Sequence, residues 1–461
     1  MTMRRKNAWT TYNKKQLDEL EKLCKNYLKF LDKGKTEREC VKQIVKQAEE
    51  KGYVNLADIT KDKKALKAGD KVYSVCMDKT VALFQIGKKK LEKGMNILGA
   101  HIDSPRMDVK QNPLYESEEF AYLDTHYYGG IKKYQWVTLP LALHGVVVKK
   151  DGTVITVNVG EDKNDPVFCV TDLLIHLAGE QMEKKANKVI EGENLDVLVG
   201  SKPLEGKEKD AVKEGILEIL KEKYDMTEED FMSAEIEVVP AGHAREAGLD
   251  HSMVMSYGQD DRVCAYTSLA AMLEVEEVEK TTCCLLTDKE EIGSVGATGM
   301  QSRFFENSVA ELMDAMGEFS ELSLRRCLAN SSMLSSDVNA AYDPLFANAF
   351  EKNNASYFGR GVVFSKFTGS RGKSGSNDAN AEYIARIRKM MDKNEVCFQT
   401  AELGKVDVGG GGTIAYILSL YGMQVIDSGV AGLNMHAPWE ITSKADIYEA
   451  YKCYKVFLKE A

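Results

Sequence analysis

From about residue 247 onward the chain alternates short strand-forming runs with helical periods, and this pattern most restricts its fold. Strands and helices in turn build an α/β sheet. Helices are expected over 261–274, 308–329 and 378–391, and strands over 281–286, 331–335 and 424–426. Two earlier strands are expected at 81–86 and 96–100. The first sixty residues read as helices that coat a sheet: Leu17, Leu20, Leu23, Tyr27, Leu28 and Leu31 recur at helical spacing, and Thr36 with Glu39 forms a capping box.

Between about 109 and 244 the texture changes to short alternating segments with an Asp151-Gly152 hairpin turn and two charged helices. This reads as an inserted β-rich unit. A chain of 461 residues is too long for one ordinary core, so several structural units are expected in any case. The net charge of -10 gives no field to attract nucleic acid or an anionic membrane, so neither is an expected partner. The basic N-terminal stretch lacks the apolar core of a secretion signal, and no run is long enough to span a bilayer, which makes the cytoplasm the expected location. The ten cysteines include no CxxC pair and are read as reduced, mostly buried thiols, with thiolate catalysis or zinc–thiolate ligation as the alternative, and Cys283 and Cys284 are expected to face opposite sides of a strand.

Five strand or helix ends carry groups able to hold a metal. In "NILGAHIDSPRMD" an apolar strand delivers His101 and Asp103 at its carboxyl end, where α/β sheets place their ligand crevices. With period two the pair shares a face, so the carboxylate can fix the imidazole tautomer; a loop ion pair is the competing reading. "SYGQDDRVCAY" puts Asp260 and Asp261 before a helix, where an N-cap with a first-turn acid also fits. "SSMLSSDVNAAYDP" sets Asp337 just past a small-residue strand, where a turn acid is the plainer account. His436 in "GVAGLNMHAPWE" is either a ligand or a core histidine bonded to a carbonyl.

"LLTDKEEIGS" is the most telling stretch, because Glu290 and Glu291 stand side by side at the end of a buried strand. Two adjacent acids in a cleft cannot both stay ionised cheaply without cations. Imidazole and carboxylate ligands suit zinc, manganese or cobalt, and two metals sharing a carboxylate would use these acids and leave one as general base. One of the two glutamates would then take a proton from metal-held water while the other is a ligand.

The motifs "GAHIDSPRMD", "YGQDDRVCAY", "TDKEEIGSVGATG", "SSDVNAAYDP" and "NMHAPWE", in this order, resemble the aspartyl aminopeptidase and aminopeptidase I family of dinuclear zinc exopeptidases. The resemblance implies a phosphorylase/hydrolase-like three-layer α/β catalytic domain, a mixed sheet between helices, made of 1–108 and 245–461 and interrupted at 109–244 by a β-rich dimerisation domain. It implies that His101, Asp260 and Asp337 hold one divalent ion, that Asp260, Glu291 and His436 hold the other, and that Asp260 bridges. Zinc is the expected ion, with cobalt and manganese as alternatives. Glu290 would be the general base acting on a bridging water, and Asp103 the partner of His101. His176 in "LLIHLAGEQ" would reach a neighbouring subunit's active site, and Lys366 in "GVVFSKFTG" would contact the substrate. Dimers assembling into tetrahedral dodecamers would admit only short peptides. Asp261 and the "APWE" that follows His436 stand closer to the aminopeptidase I branch, which leaves a preference for acidic N-terminal residues open.

The implied reaction is removal of N-terminal amino acids from short peptides. A related two-metal deacylase acting on N-acyl amino acids is the alternative, and it would accept a blocked amine. Glycines 409–412 are not a phosphate loop, since no GK[ST] follows; close backbone approach to substrate or a flexible turn would both account for them.

Overall fold

A computed structural model describes residues 6–370 and 372–461. By internal contacts the chain divides into two units: one runs to Asp103 and resumes with Ala244–Met435 and Glu440–Ala461, and the other holds Ser104–His243 with His436–Trp439. Both are mixtures of strands and helices, so the fold is mixed α/β with several sheets.

The first unit is built on a nine-stranded sheet. Its strands are β1 (Val54–Asn55), β2 (Lys71–Cys76), β3 (Thr80–Gln85), β4 (Asn96–His101), β5 (Thr282–Thr287), β6 (Ser332–Ser335), β7 (Val362–Ser365), β8 (Phe398–Thr400) and β9 (Gln424–Gly429). Their order across the sheet is β1-β2-β3-β5-β4-β6-β9-β7-β8. The four central strands β5, β4, β6 and β9 are parallel neighbours, which brings their carboxyl ends to one edge. Ligand crevices of open α/β sheets lie at such an edge.

Every residue of β4 and β5 is buried, which requires packing on both faces. Side chains alternate accordingly. Cys284, Leu286, Leu98 and Ala100 join one core cluster, while Cys283, Leu285 and Ile97 join another, so the adjacent cysteines do face opposite sides. Each apolar side chain so buried stabilises the unit by about 2 kcal/mol.

The helices Lys14–Lys33 and Glu37–Glu49 start where the sequence marks them. Thr36 Oγ1 accepts the Glu39 N–H and the Glu39 carboxylate accepts the Thr36 N–H, each at 3.2 Å. The helix expected over 308–329 is instead two, Phe304–Ala315 and Glu321–Ala329. Gly317 takes φ +69° between them, and Ser320 caps the second by accepting the Ser323 N–H at 3.0 Å. That turn chemistry outweighs the continuous apolar period.

A five-stranded sheet of the first unit pairs Met253–Ser256 with Glu440–Ser443, setting Ser256 opposite Glu440. The second unit carries a seven-stranded sheet whose hairpin between Leu141–Val148 and Val154–Val159 turns at Gly152, φ +87°. It has one long helix, Ala211–Tyr224. The other charged helix expected there shrinks to Gly179–Met182, because residues 179–188 are all exposed or half-buried and present no apolar face to pack. No helix among the described residues is long and apolar enough to cross a membrane.

Candidate metal centre

His101 is the last residue of β4, and its ring is buried. Its Nε2 lies 3.3 Å from Asp260 Oδ1, 3.9 Å from Glu290 Oε2 and 3.9 Å from Asp337 Oδ1. Its Nδ1 lies 3.1 Å from the Asp103 carbonyl oxygen and 3.3 Å from Asp103 Oδ1. Both oxygens can only accept, so they place the ring proton on Nδ1 and leave the Nε2 lone pair directed at the other three acids.

Asp103 does more than orient the imidazole. Its Oδ1 accepts the Glu290 N–H and its Oδ2 accepts the Glu291 N–H, each at 3.1 Å. One carboxylate therefore fixes both the histidine and the glutamate pair. The pair occupies a single 3-10 turn, Glu290–Ile292, just beyond β5, bracketed by left-handed Lys289 (φ +69°) and Gly293 (φ +96°). A non-glycine residue in that region costs about 1 kcal/mol or more.

Asp260 follows Gly258, which takes φ +68°, at the start of the helix Gln259–Glu274. Its N–H is held by Glu440 Oε2 at 3.0 Å, and the Gln259 amide donates to the Glu440 carbonyl at 2.7 Å. The Asp260–Asp261 peptide is cis. Asp337 lies two residues beyond β6, against Gly429 of the neighbouring strand, where a Cβ would collide with the Asp337 backbone.

Potential ligand atoms of His101, Asp260 and Asp337 lie within 4.8 Å of one another, and so do those of His101, Glu290 and Glu291. Four ligands placed tetrahedrally at about 2.0 Å from zinc sit about 3.3 Å apart, which is the scale of these separations. Nitrogen and carboxylate oxygen are donors that zinc accepts. The residues present therefore fit a divalent cation.

The electrostatics agree. Burial works against a charged His101, but the carboxylates of Asp103, Asp260 and Glu290 outweigh it and hold the imidazole well above its ordinary range. Burial, then the charges of Asp260, Glu290 and Asp261, push the Asp337 carboxyl well above the usual range. Burial likewise raises Asp261, with Asp260 adding to the effect. Acids packed this way hold protons unless a cation replaces them.

His436 belongs to the second unit, where its Nδ1 donates to the Gly130 carbonyl at 2.8 Å. That bond leaves Nε2 as the nitrogen with a lone pair. His176, also in the second unit, is exposed on the 3-10 turn Ile175–Leu177 and is not a buried helix residue. Lys366 is exposed and leaves β7, which runs antiparallel to β9, toward the edge opposite the carboxyl ends of β4, β5 and β6. It lines a concavity that includes none of the groups around His101. Of glycines 409–412, the first two press on backbone, since a Cβ on Gly409 would strike the Leu403 carbonyl oxygen and one on Gly410 the Gly369 carbonyl oxygen, while Gly411 faces open space.

Glu440, buried and holding the Asp260 N–H, was not singled out from the sequence, although it closes the "NMHAPWE" motif. Arg262 was also passed over. It is buried, donating Nε to the Ile102 carbonyl at 3.2 Å and Nη2 to the Lys35 carbonyl at 2.9 Å, and so ties the helix to the segment after β4.

Residues 30–458 match the family model described as aminopeptidase I zinc metalloprotease (M18). The chain is 63% identical over 98% of its length to a probable M18 family aminopeptidase 1 of Clostridium acetobutylicum, and covers 98% of that protein. Among solved structures, the M18 aminopeptidase of Thermotoga maritima superposes with TM-score 0.95 at 46% identity, each chain fully covered. Aminopeptidase I of Clostridium acetobutylicum gives TM-score 0.92 at 62% identity, with 99% of each chain covered. The Saccharomyces cerevisiae aminopeptidase 1 dodecamer shares the fold at TM-score 0.77 and 20% identity, over 96% of this chain and 97% of that one. The chain belongs to the aminopeptidase I (M18) family and is a zinc metalloaminopeptidase, a hydrolase of the exopeptidase kind.

Proposed function

We propose that the groups around His101 hold two divalent ions, with His101, Asp260 and Asp337 on one, Asp260, Glu291 and His436 on the other, and Asp260 between them. The observation that carries this reading is the pair of separations from His101 Nε2 to the Asp260 and Asp337 carboxylates, the spacing of ligands that share an ion. The His436 assignment draws support from its Gly130 bond, which directs the lone pair to Nε2.

Bound there, such ions supply Lewis-acid polarisation of a scissile carbonyl and make water acidic enough to attack near neutral pH. Glu290, with its side chain 15% exposed, is the group able to meet that water. It takes the proton as the water oxygen bonds to the carbonyl carbon, and returns it to the amine as the carbon–nitrogen bond breaks. Asp103, through the two N–H groups it accepts, sets Glu290 against Glu291 so that one serves as base and the other as ligand. The free amine of a short peptide is anchored beside the cluster's acids.

The first unit is read as the three-layer, phosphorylase/hydrolase-like catalytic domain, interrupted by a dimerisation domain, in a cytoplasmic enzyme. Assembly into dimers and a dodecamer is supported by the yeast relative and by the segment around His176. Leu174, Ile175 and Leu177 are 54%, 68% and 67% exposed, an apolar run suited to burial against a second copy. In that assembly His176 reaches a neighbour's active site. The assignment of Lys366 as a substrate contact rests on the motif resemblance alone.

Metal analysis of the loaded protein tests the centre, with two ions per chain expected; saturation at one would remove the bridging role of Asp260. Hydrolysis of free and N-acetylated dipeptides tests the reaction. An aminopeptidase rejects the acetylated form, and equal rates would favour a deacylase.

A further inference from the structure

One concavity of the first unit, about 570 Å³, is lined by four cationic side chains from four separate segments. Lys352 precedes the 355–360 loop, Arg360 precedes β7, Lys366 follows β7, and Arg388 lies on the helix Ala381–Lys393. Glu402 is the one acid in the lining. This concentration of positive charge stands in a chain of net charge -10.

Elsewhere the chain pairs its lysines freely, as in Lys149 with Asp225, Lys393 with Glu460 and Lys455 with Glu274. Here it does not. Among the described residues, no carboxylate stands within ion-pair distance of Lys352, Lys366 or Arg388. Like charges gathered around one hollow repel, and an anion that enters relieves what repulsion the solvent leaves.

The chemistry of the lining selects the anion. A single carboxylate has two acceptor atoms and would leave most of these donors unmet. A chain of phosphates offers many oxygens, and the Arg388 guanidinium matches them in the forked manner that arginine favours, beside the ammonium groups of Lys352 and Lys366. Asn353 and Asn354 add amides to the same wall. The volume lies within the usual range for small-molecule sites, roughly 300–1,000 Å³.

We propose that this concavity binds a small compound bearing a chain of phosphates, at a site separate from the metal centre. The site shares Lys366 with the proposed substrate contact, so its test uses Lys352 and Arg388 and leaves Lys366, every proposed ligand and Glu290 untouched.

Calorimetric titration of the zinc-loaded full chain with tripolyphosphate and with ATP, in excess magnesium and with zinc content assayed before and after, is the experiment. Saturable binding is expected for the natural chain, with unchanged zinc, and it should weaken with added salt. Lys352→Glu with Arg388→Glu should weaken it by about tenfold or more. Lys352→Gln with Arg388→Gln gives the same direction should the charge reversal fail to fold. Binding of both probes identifies the phosphate chain as the recognised group, and binding of ATP alone adds the nucleoside to it. Three results overturn the proposal: no saturable binding, equal binding by natural and substituted chains, which would place phosphate on the zinc, or a glutamyl oligopeptide bound as tightly as tripolyphosphate.

Discussion

The first turn of the C-terminal helix Lys444–Glu460 and the carboxyl edge of the central sheet both place charged side chains inside the first unit, and they meet the cost differently. Lys444 is 1% exposed, yet its Nζ lies 2.6 Å from Glu246 and 2.9 Å from Glu21. Asp446, fully buried, accepts the N–H groups of Gly359 and Gly361 at 2.9 and 2.7 Å. Every charge in that turn is answered by the chain itself. Around His101, by contrast, three carboxylates face one imidazole. A fold that partners buried polar groups so fully in one place and leaves acids in excess in another suits the second place to a cation from outside.

The comparison can be broken most decisively at Glu290. Glu290→Gln should lower kcat by roughly 10³-fold or more, as loss of a general base does, while zinc content stays that of the natural chain. Normal turnover in that variant would remove the proton-transfer role. Chelation comes next in size. Stripping the metal should abolish hydrolysis and lower stability by about 3 kcal/mol relative to protein kept in zinc at a hundred times its dissociation constant. Thermal melts with and without added zinc measure this, and coincident curves would mean the acids are balanced in some other way.

Lys444→Met sharpens the contrast from the other side. The partner carboxylates are 43% and 28% exposed, so water can take up their charge and the loss should be about 2 kcal/mol, below that for a fully enclosed pair. This loss should be the same with and without zinc, as read by denaturant melts. The smallest effect is expected at Asp446. Burial pushes its carboxyl up to about 7, against the pull of the Gly359 and Gly361 N–H groups. A raised carboxyl stabilises the fold fully below its unfolded value, near 4, and that contribution is lost as pH rises through about 7. Asp446→Asn should therefore cost about 1 kcal/mol at about pH 5, and the gap should close and then reverse as pH rises toward about 7. A gap that stayed the same across this range would show Asp446 to be ionised throughout.

Much of the cluster was legible because its chemistry sits where strands stop. His101 closes its strand, and Glu290, Glu291 and Asp337 follow shortly after the ends of theirs, so the strands fix them at the sheet edge. What could not be read are relations between distant segments. Nothing local in the sequence ties Asp103 to two backbone N–H groups nearly two hundred residues later, or Glu440 to the Asp260 N–H. The split at Gly317 was missed because apolar spacing continues through it, and only the serine cap and the left-handed glycine mark the break. The close approach of Gly409 and Gly410 to the backbone of Leu403 and Gly369 could not be read either, because a tight approach of chain to chain has no sequence signature of its own.

The double acceptance by Asp103 joins Glu290 and Glu291, the proposed base and the proposed ligand, into a single mechanical part. Any drift of that one carboxyl group carries both glutamates with it, so the acidity of one cannot be tuned by re-siting it without moving the other. Variation in what such a centre cleaves is therefore channelled outward, to the surfaces that receive the peptide, while the reacting core stays fixed in shape.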